Sequence, residues 1–373
     1  MKIGIVTQPL SLNYGGILQN YALQQVLRQL GHEPYTFDLE SLLQHSYYDY
    51  LAVNTKAIFR KWLGKPAPRL MSPCLLKRRE RPLRRFVKGR ISLIEPRSKY
   101  PEASKIESYH LEALIVGSDQ VWRPKYNAHI EDMYLAFAHG FKGKKLAYAA
   151  SFGTDTWEYT PAETAACRQL IQQFDAVSLR ESSGVALCCE HFGLEACQAL
   201  DPTLLLTADD YNRLLEAQPA KGHPYIFAYL LDPSERRLAL ARDLAQRLSL
   251  PLVVNRTYKD LHRGDSVEKW LAHFRDAAYI LTDSFHGTVF SVVYRKPFLT
   301  LGNEARGLSR VQSLLSLLGL EERQLTDAAK EASAAGAADT AHLQLSAQPD
   351  WDAMTQKLSL WQERSWQFLR EHL

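Results

Sequence analysis

Long apolar runs are missing from these 373 residues. The strongest, in EALIVG and FSVVY, are strand-sized, well short of the roughly 20 apolar residues that a membrane-spanning helix needs. The opening MKIGIVTQPLSLNYGG carries a single lysine and is broken at Gln8 and Pro9, so it reads as a first strand and not as a signal peptide. Cysteine is scarce as well. The five are an odd number with only Cys188 and Cys189 adjacent, so neither a disulfide ladder nor a paired CxxC metal frame can be written, and reduced thiols in the cytoplasm are expected. HExxH, a Walker-type loop, a DxD near the strand ends considered below and any clustered His/Cys spacing are also absent. The sequence demands neither a metal nor ATP, and no cofactor is expected.

With 46% hydrophobic and 23% charged residues the chain can bury real cores, and at roughly 100–200 residues per domain its length points to two. Its charge is unevenly spread. Residues 56–99 hold fifteen Lys and Arg against Glu80 and Glu95, a local +13 on a chain whose total is +4, so the remainder carries −9. Such a patch implies an anionic partner: nucleic acid, an anionic membrane surface or a diphosphate-linked substrate. Phe59, Trp62, Leu63, Leu83, Phe86 and Val87 interleave with the cations at roughly helical spacing. That suits a helix lying on lipid headgroups and equally suits a solvated helical excursion. No helix-turn-helix, zinc finger or aromatic RNP-like motif accompanies the charge, so nucleic acid is not expected.

Strand-like runs alternate with helix-length periodic segments almost from end to end, the pattern of an α/β protein with mostly parallel sheets. KIGIVTQ leads through a loop to ILQNYALQQVLRQLG, where Leu18, Tyr21, Ala22, Val26 and Leu30 recur near the helical period and Gly31 stops the helix. EPYTFDL, EALIVGSD, KLAYAASFG and AVSLRE follow as strands, with helices over 160–174 and 182–192. A second series begins after DPTLLL: YIFAYLL, a helix from near Pro233, PLVVN, a helix over 266–276, YILTD, a helix from 287, and PFLTLG. The reading is one α/β domain over 1–207, with a basic helical excursion at 45–105, and a second over 208–350. A closing helix over 351–373 is expected to pack back on the first domain, and the Ala-rich stretch 327–342 reads as a connector.

In an open parallel sheet, ligands bind beyond the carboxyl ends of the strands. There the sequence offers Asn13-Tyr14-Gly15-Gly16 and, in the helix it opens, Gln19: glycines that permit close backbone approach at a helix start, or a tight turn. Asp119, Gln120 and Trp122 in GSDQVW combine a carboxylate, an amide and an indole, which suits a sugar, while an Asp capping a helix is the plainer reading. Arg180 ends AVSLRE as a five-donor clamp for phosphate or carboxylate, or as a salt-bridge partner of Glu181 or another acid. The sharpest point is Ser284-Phe285-His286-Gly287-Thr288, where a helix start favours an anion beside an imidazole, and a bound anion would favour the imidazolium that a general acid requires. Arg306 and Arg310 could bring further cations to that anion, or be ordinary surface arginines.

Taken in order, NYGGILQNYAL, IVGSDQVW, ASFGT, SLRE, DPTLLL and TDSFHGTVFSVVYRKPF closely resemble the polysaccharide pyruvyl transferase family, from residue 3 to about residue 320. The resemblance implies two Rossmann-like domains in a glycosyltransferase-B-like architecture with a cleft between them. It implies pyruvyl transfer from phosphoenolpyruvate to a sugar of a cell-surface or capsular polysaccharide precursor, as a cyclic ketal. His286 and Arg180 then belong to the phosphoenolpyruvate site, with Ser284, Gly287, Thr288, Arg306 and Arg310 around the donor. Asp119 is the expected second catalytic group, and Asn13, Tyr14, Gly15, Gly16, Gln19, Gln120 and Trp122 line the acceptor side. The acceptor is a saccharide, with a lipid-diphosphate carrier and peripheral membrane contact through 56–99 as further expectations. A sugar-nucleotide-dependent glycosyltransferase of the same architecture is the nearest rival, and a non-catalytic assembly partner leaves the polar strand ends unexplained.

Overall fold

The computed structural model describes residues 1–40, 73–220, 222–255, 265–303, 307–325 and 348–373, with isolated positions 55, 59, 60 and 62. The first 198 residues build one sheet from β1 (Lys2–Val6), β2 (Glu33–Leu39), β3 (Leu93–Ser98), β4 (Ala113–Asp119), β5 (Lys144–Ala150), β6 (Ala176–Leu179) and β7 (Cys197–Gln198). Its order is β3-β2-β1-β4-β5-β6-β7 and every neighbouring pair is parallel. The central strands are apolar on both faces, with Ile3, Ile5, Leu114, Ile115 and Val116 fully buried, as a sheet covered by helices on both sides requires. Crossovers are made by α1 (Tyr14–Gln29), α2 (Pro73–Arg90), α3 (Ala103–Ser108), α4 (Pro161–Ile171) and α5 (Ser182–Phe192). Helix α4 starts on a capping box in which Thr160 and Glu163 satisfy each other's backbone N–H, and α5 stops where Gly193 takes a left-handed φ of 64°.

After the short α6 (Ala208–Asn212), a second parallel sheet forms from β8 (Ile226–Tyr229), β9 (Leu252–Asn255), β10 (Tyr279–Thr282), β11 (Phe298–Leu301) and β12 (Gln324–Leu325). Its order is β12-β11-β10-β8-β9. Its helices are α7 (Glu235–Arg247), α8 (Val267–Asp276), α9 (Phe285–Val293) and α10 (Leu308–Leu318). In each sheet the chain reverses its direction of travel once, between β1 and β4 in the first and between β8 and β10 in the second. At these switch points the loops diverge and leave a crevice.

The closing helix α11 (Trp351–His372) returns to the first sheet: Phe368 lies 6.1 Å from Tyr148 on β5, and Ser365 Oγ accepts a bond from the Leu200 amide. The Ala-rich connector lies outside the described residues. Within the expected basic excursion, β3 was not anticipated, because LIEPRS is charged and carries Pro96; a sheet edge tolerates both. Neither a lipid-facing nor a solvated role fits Leu83, Phe86 and Val87. All three are buried against the core, with the Phe86 ring 5.7 Å from Tyr21 of α1.

Candidate functional site

Both switch points open on one cleft of about 510 Å³. The first sheet supplies Gln8, Asn13, Asp119, Gln120 and Lys125 to its wall, and the second supplies Leu231, Ser284, Phe285, His286, Asn303 and Arg310. Strand β4 delivers Asp119 in a left-handed conformation, φ 74°, that turns the carboxylate off the sheet toward α1. Its Oδ2 accepts a bond from Asn13 Nδ2 at 3.1 Å, while its Oδ1 lies 3.6 Å from Arg180 and 4.0 Å from Arg310.

His286 sits in the first turn of α9, whose start is capped by Ser284 Oγ accepting from the Gly287 amide. The ring is pressed against the backbone of Gly15, where a Cβ would lie 2.0 Å from Nδ1. Any side chain at position 15 would therefore displace the imidazole. Its Nε2 lies 3.6 Å from Asp201 Oδ2, beyond hydrogen-bond reach, and has no other partner among the described residues.

Asp201 is the residue that sequence reasoning missed. It is fully buried just beyond β7. Its Oδ1 accepts from the amide and hydroxyl of Thr203 at 3.0 and 2.6 Å, and its Oδ2 accepts from Ser118 Oγ at 2.9 Å and Arg180 Nη1 at 2.7 Å. Burial alone would raise its pKa, but His286, Arg180 and the Thr203 hydroxyl outweigh burial and hold it well below the ordinary carboxylate range. The signal available was a carboxylate in the apolar run LDPTLLL. Glu181, named from the sequence only as a salt-bridge partner for Arg180, is buried and accepts from Ser151 Oγ and the Gly153 amide.

The cluster thus holds three carboxylates, Asp119, Glu181 and Asp201, against two guanidiniums. Burial disfavours the Arg180 cation, yet Asp201, Asp119 and Glu181 more than restore it and raise its pKa. Burial, with Arg180 beside it, pushes Arg310 down to about 10, which still leaves a cation at neutral pH. Both guanidiniums lie over the Phe285 ring, at 4.3 and 5.6 Å from its centre.

Of the residues the sequence singled out, Asn13, Asp119, Gln120, Ser284, His286 and Arg310 reach the cleft wall. Gly15 and Gly16 form the floor beneath His286 and Asp119. Five do not serve as expected. Trp122 is fully buried, stacked 4.8 Å from Tyr134, with its indole N–H on the Met133 carbonyl, so it cannot offer a plate to a sugar. Tyr14 stacks on Trp270 at 5.3 Å and bonds the Asp265 carbonyl, joining the two halves. Gln19 is buried and donates to Thr7 Oγ1, and the Thr288 hydroxyl is satisfied by the Ser284 carbonyl and Thr300. Arg180 lies behind the wall, its Nη1 committed to Asp201, while Nε and Nη2 make no hydrogen bond. Arg306 lies outside the described residues. Among those described, no group of three or more His, Cys, Asp or Glu is arranged to hold a metal ion, and no helix is long and apolar enough to cross a membrane.

Two parallel α/β sheets that meet across a cleft at their switch points define a two-Rossmann, glycosyltransferase-B-like protein. The chain belongs to the polysaccharide pyruvyl transferase family, whose sequence pattern matches residues 13–305, and membership implies a transferase with a saccharide acceptor. Among solved structures it is similar to UDP-GlcNAc 2-epimerase from Methanocaldococcus jannaschii, at 10% identity over 95% of each chain and a TM-score of 0.50. It is also similar to the spinosyn rhamnosyltransferase SpnG complexed with thymidine diphosphate, at 10% identity over 100% of this chain and 99% of that one, TM-score 0.49. These likenesses concern the fold alone. No curated protein sequence matches the chain.

Proposed function

We propose that the chain transfers pyruvyl from phosphoenolpyruvate to a saccharide as a cyclic ketal. One observation carries the reading: an imidazole on the cleft wall, packed on Gly15, with the buried Asp201 carboxylate behind it and Arg310 on the same wall. Phosphoenolpyruvate becomes electrophilic only when its methylene carbon is protonated. Protonated His286 supplies that proton, which makes the methyl group and leaves an oxocarbenium-like centre on the neighbouring carbon. A sugar hydroxyl attacks this centre and gives its proton to Asp119. The bond from carbon to the phosphate oxygen then breaks, and phosphate departs with the proton that Asp119 held. A second hydroxyl closes the ketal and returns its proton to His286. Two hydroxyl protons therefore balance the one gained by carbon and the one carried off by phosphate.

Arg310, Ser284 and the N–H groups at the start of α9 bind the donor's phosphate and carboxylate. Arg180 acts from behind the wall, through Asp201 and Asp119. Asn13 and Gln120 face the acceptor, and Lys99 and Lys125 on the same wall suit an acceptor that carries a diphosphate. General acid–base catalysis is worth about 10²–10⁴ in rate. His286→Gln should therefore lose at least about a hundredfold in phosphate release from phosphoenolpyruvate and acceptor while its thermal midpoint is kept. A variant retaining more than about a tenth of the wild-type rate removes His286 from the acid role.

A further inference from the structure

Helix α2 presents an outer face that the proposed transfer chemistry does not use. Arg79, Glu80, Leu83, Phe86 and Val87 form its buried side. At about 100° per residue these positions span an arc of roughly 120°. Lys77, Arg78, Arg81, Arg85 and Lys88 fall within an arc of about 100° on the opposite side. All five are exposed, and none makes a hydrogen bond or ion pair among the described residues. No carboxylate shares that arc: Glu80, the helix's one acid, lies at the edge of the buried side and accepts from Arg97 at 3.1 Å. The stripe runs about 16 Å along the axis, at about 1.5 Å per residue.

The helix is also fixed in place. Its Arg84 makes a two-pronged bond to Asp38 on β2 at 2.8 and 2.6 Å and reaches the Leu10 carbonyl. Leu10 adjoins Gln8 and Pro9 of the cleft wall, and β2 ends at Leu39, which with the following Glu40 lies on that wall. The outward cations therefore stand on a rigid support beside the acceptor side of the cleft. In sequence, residues 56–72 hold five Lys and Arg and no acid.

We propose that the outer face of α2 docks the protein on an anionic lipid surface, which brings the cleft to acceptors presented at that surface. A row of cations held flat by a buried apolar face matches the field of a charged bilayer, and no helix-turn-helix, zinc finger or aromatic RNP-like motif in the sequence accompanies it to read nucleic acid. Each Lys or Arg near such a surface contributes about fivefold to binding.

The test is co-sedimentation of the full chain with vesicles of phosphatidylcholine alone and of phosphatidylcholine with phosphatidylglycerol, each at low and high salt. Binding should appear only with phosphatidylglycerol and fall steeply with salt. The variant Lys77→Gln/Arg81→Gln/Arg85→Gln/Lys88→Gln should bind about a hundredfold or more weakly with an unchanged thermal midpoint and unchanged turnover on a soluble acceptor. Should the quadruple variant misfold, Arg81→Gln/Arg85→Gln should weaken binding about twentyfold. Failure to bind phosphatidylglycerol vesicles, equal binding by the folded variants, or equally tight binding of a DNA duplex through the same residues would each overturn the proposal. Turnover with a soluble acceptor is read separately, so loss of vesicle binding leaves the transferase reading standing.

Discussion

A Cβ on Gly15 would come within 2.0 Å of His286 Nδ1, so this position works by having no side chain. Gly15→Ala should cost about 1–3 kcal/mol of stability and move the imidazole, lowering turnover at least about tenfold. Gly89→Ala, whose Cβ meets nothing within 4 Å, should leave turnover unchanged, and a Gly15→Ala enzyme of wild-type rate would contradict the packing argument. At this scale the sequence was partly legible. His286, Asp119 and Asn13 could be named because each stands at or beyond a strand end, where polar residues have few structural duties. Asp201 could not. Its role arises only where the ends of β4, β6 and β7 and the start of α9 converge, and no local pattern reports that convergence. Trp122 misled for the converse reason: beside a strand end, it turns inward and satisfies its indole N–H on the Met133 carbonyl.

Helix α9 carries His286, the proposed acid, and its first turn is capped by the Ser284 side chain. Ser284→Ala removes the acceptor of the Gly287 amide and should cost about 0.5–2 kcal/mol, read as a lower denaturant midpoint, with turnover also reduced because His286 lies in the loosened turn. An unchanged midpoint would show that the cap is idle. Elements of this kind were well marked in the sequence. Helix α5 was expected over 182–192 and spans Ser182–Phe192, and α8 was expected over 266–276 and spans Val267–Asp276, because cap residues and apolar period agree at both. The strands β3, β7 and β12 went unread, since two are only two residues long and the third sits at an edge with a proline.

In the whole molecule the two switch points face each other, and the cleft exists only where the halves meet. His286 from the second half rests on Gly15 and faces Asp201, both from the first, while Tyr14 stacks on Trp270 across the same boundary. The proposed donor site is therefore complete only in the docked chain, and a ligand that bridges it should stabilise the whole. The most direct test is a thermal-shift comparison of phosphoenolpyruvate with a panel of nucleotide sugars on the wild type and on Arg310→Ala. At about 100 times its dissociation constant a ligand adds about 2.7 kcal/mol, a shift of several degrees for a chain of this size. Selective stabilisation by phosphoenolpyruvate, lost in Arg310→Ala, is the predicted result; stabilisation by a nucleotide sugar with none by phosphoenolpyruvate would contradict the account.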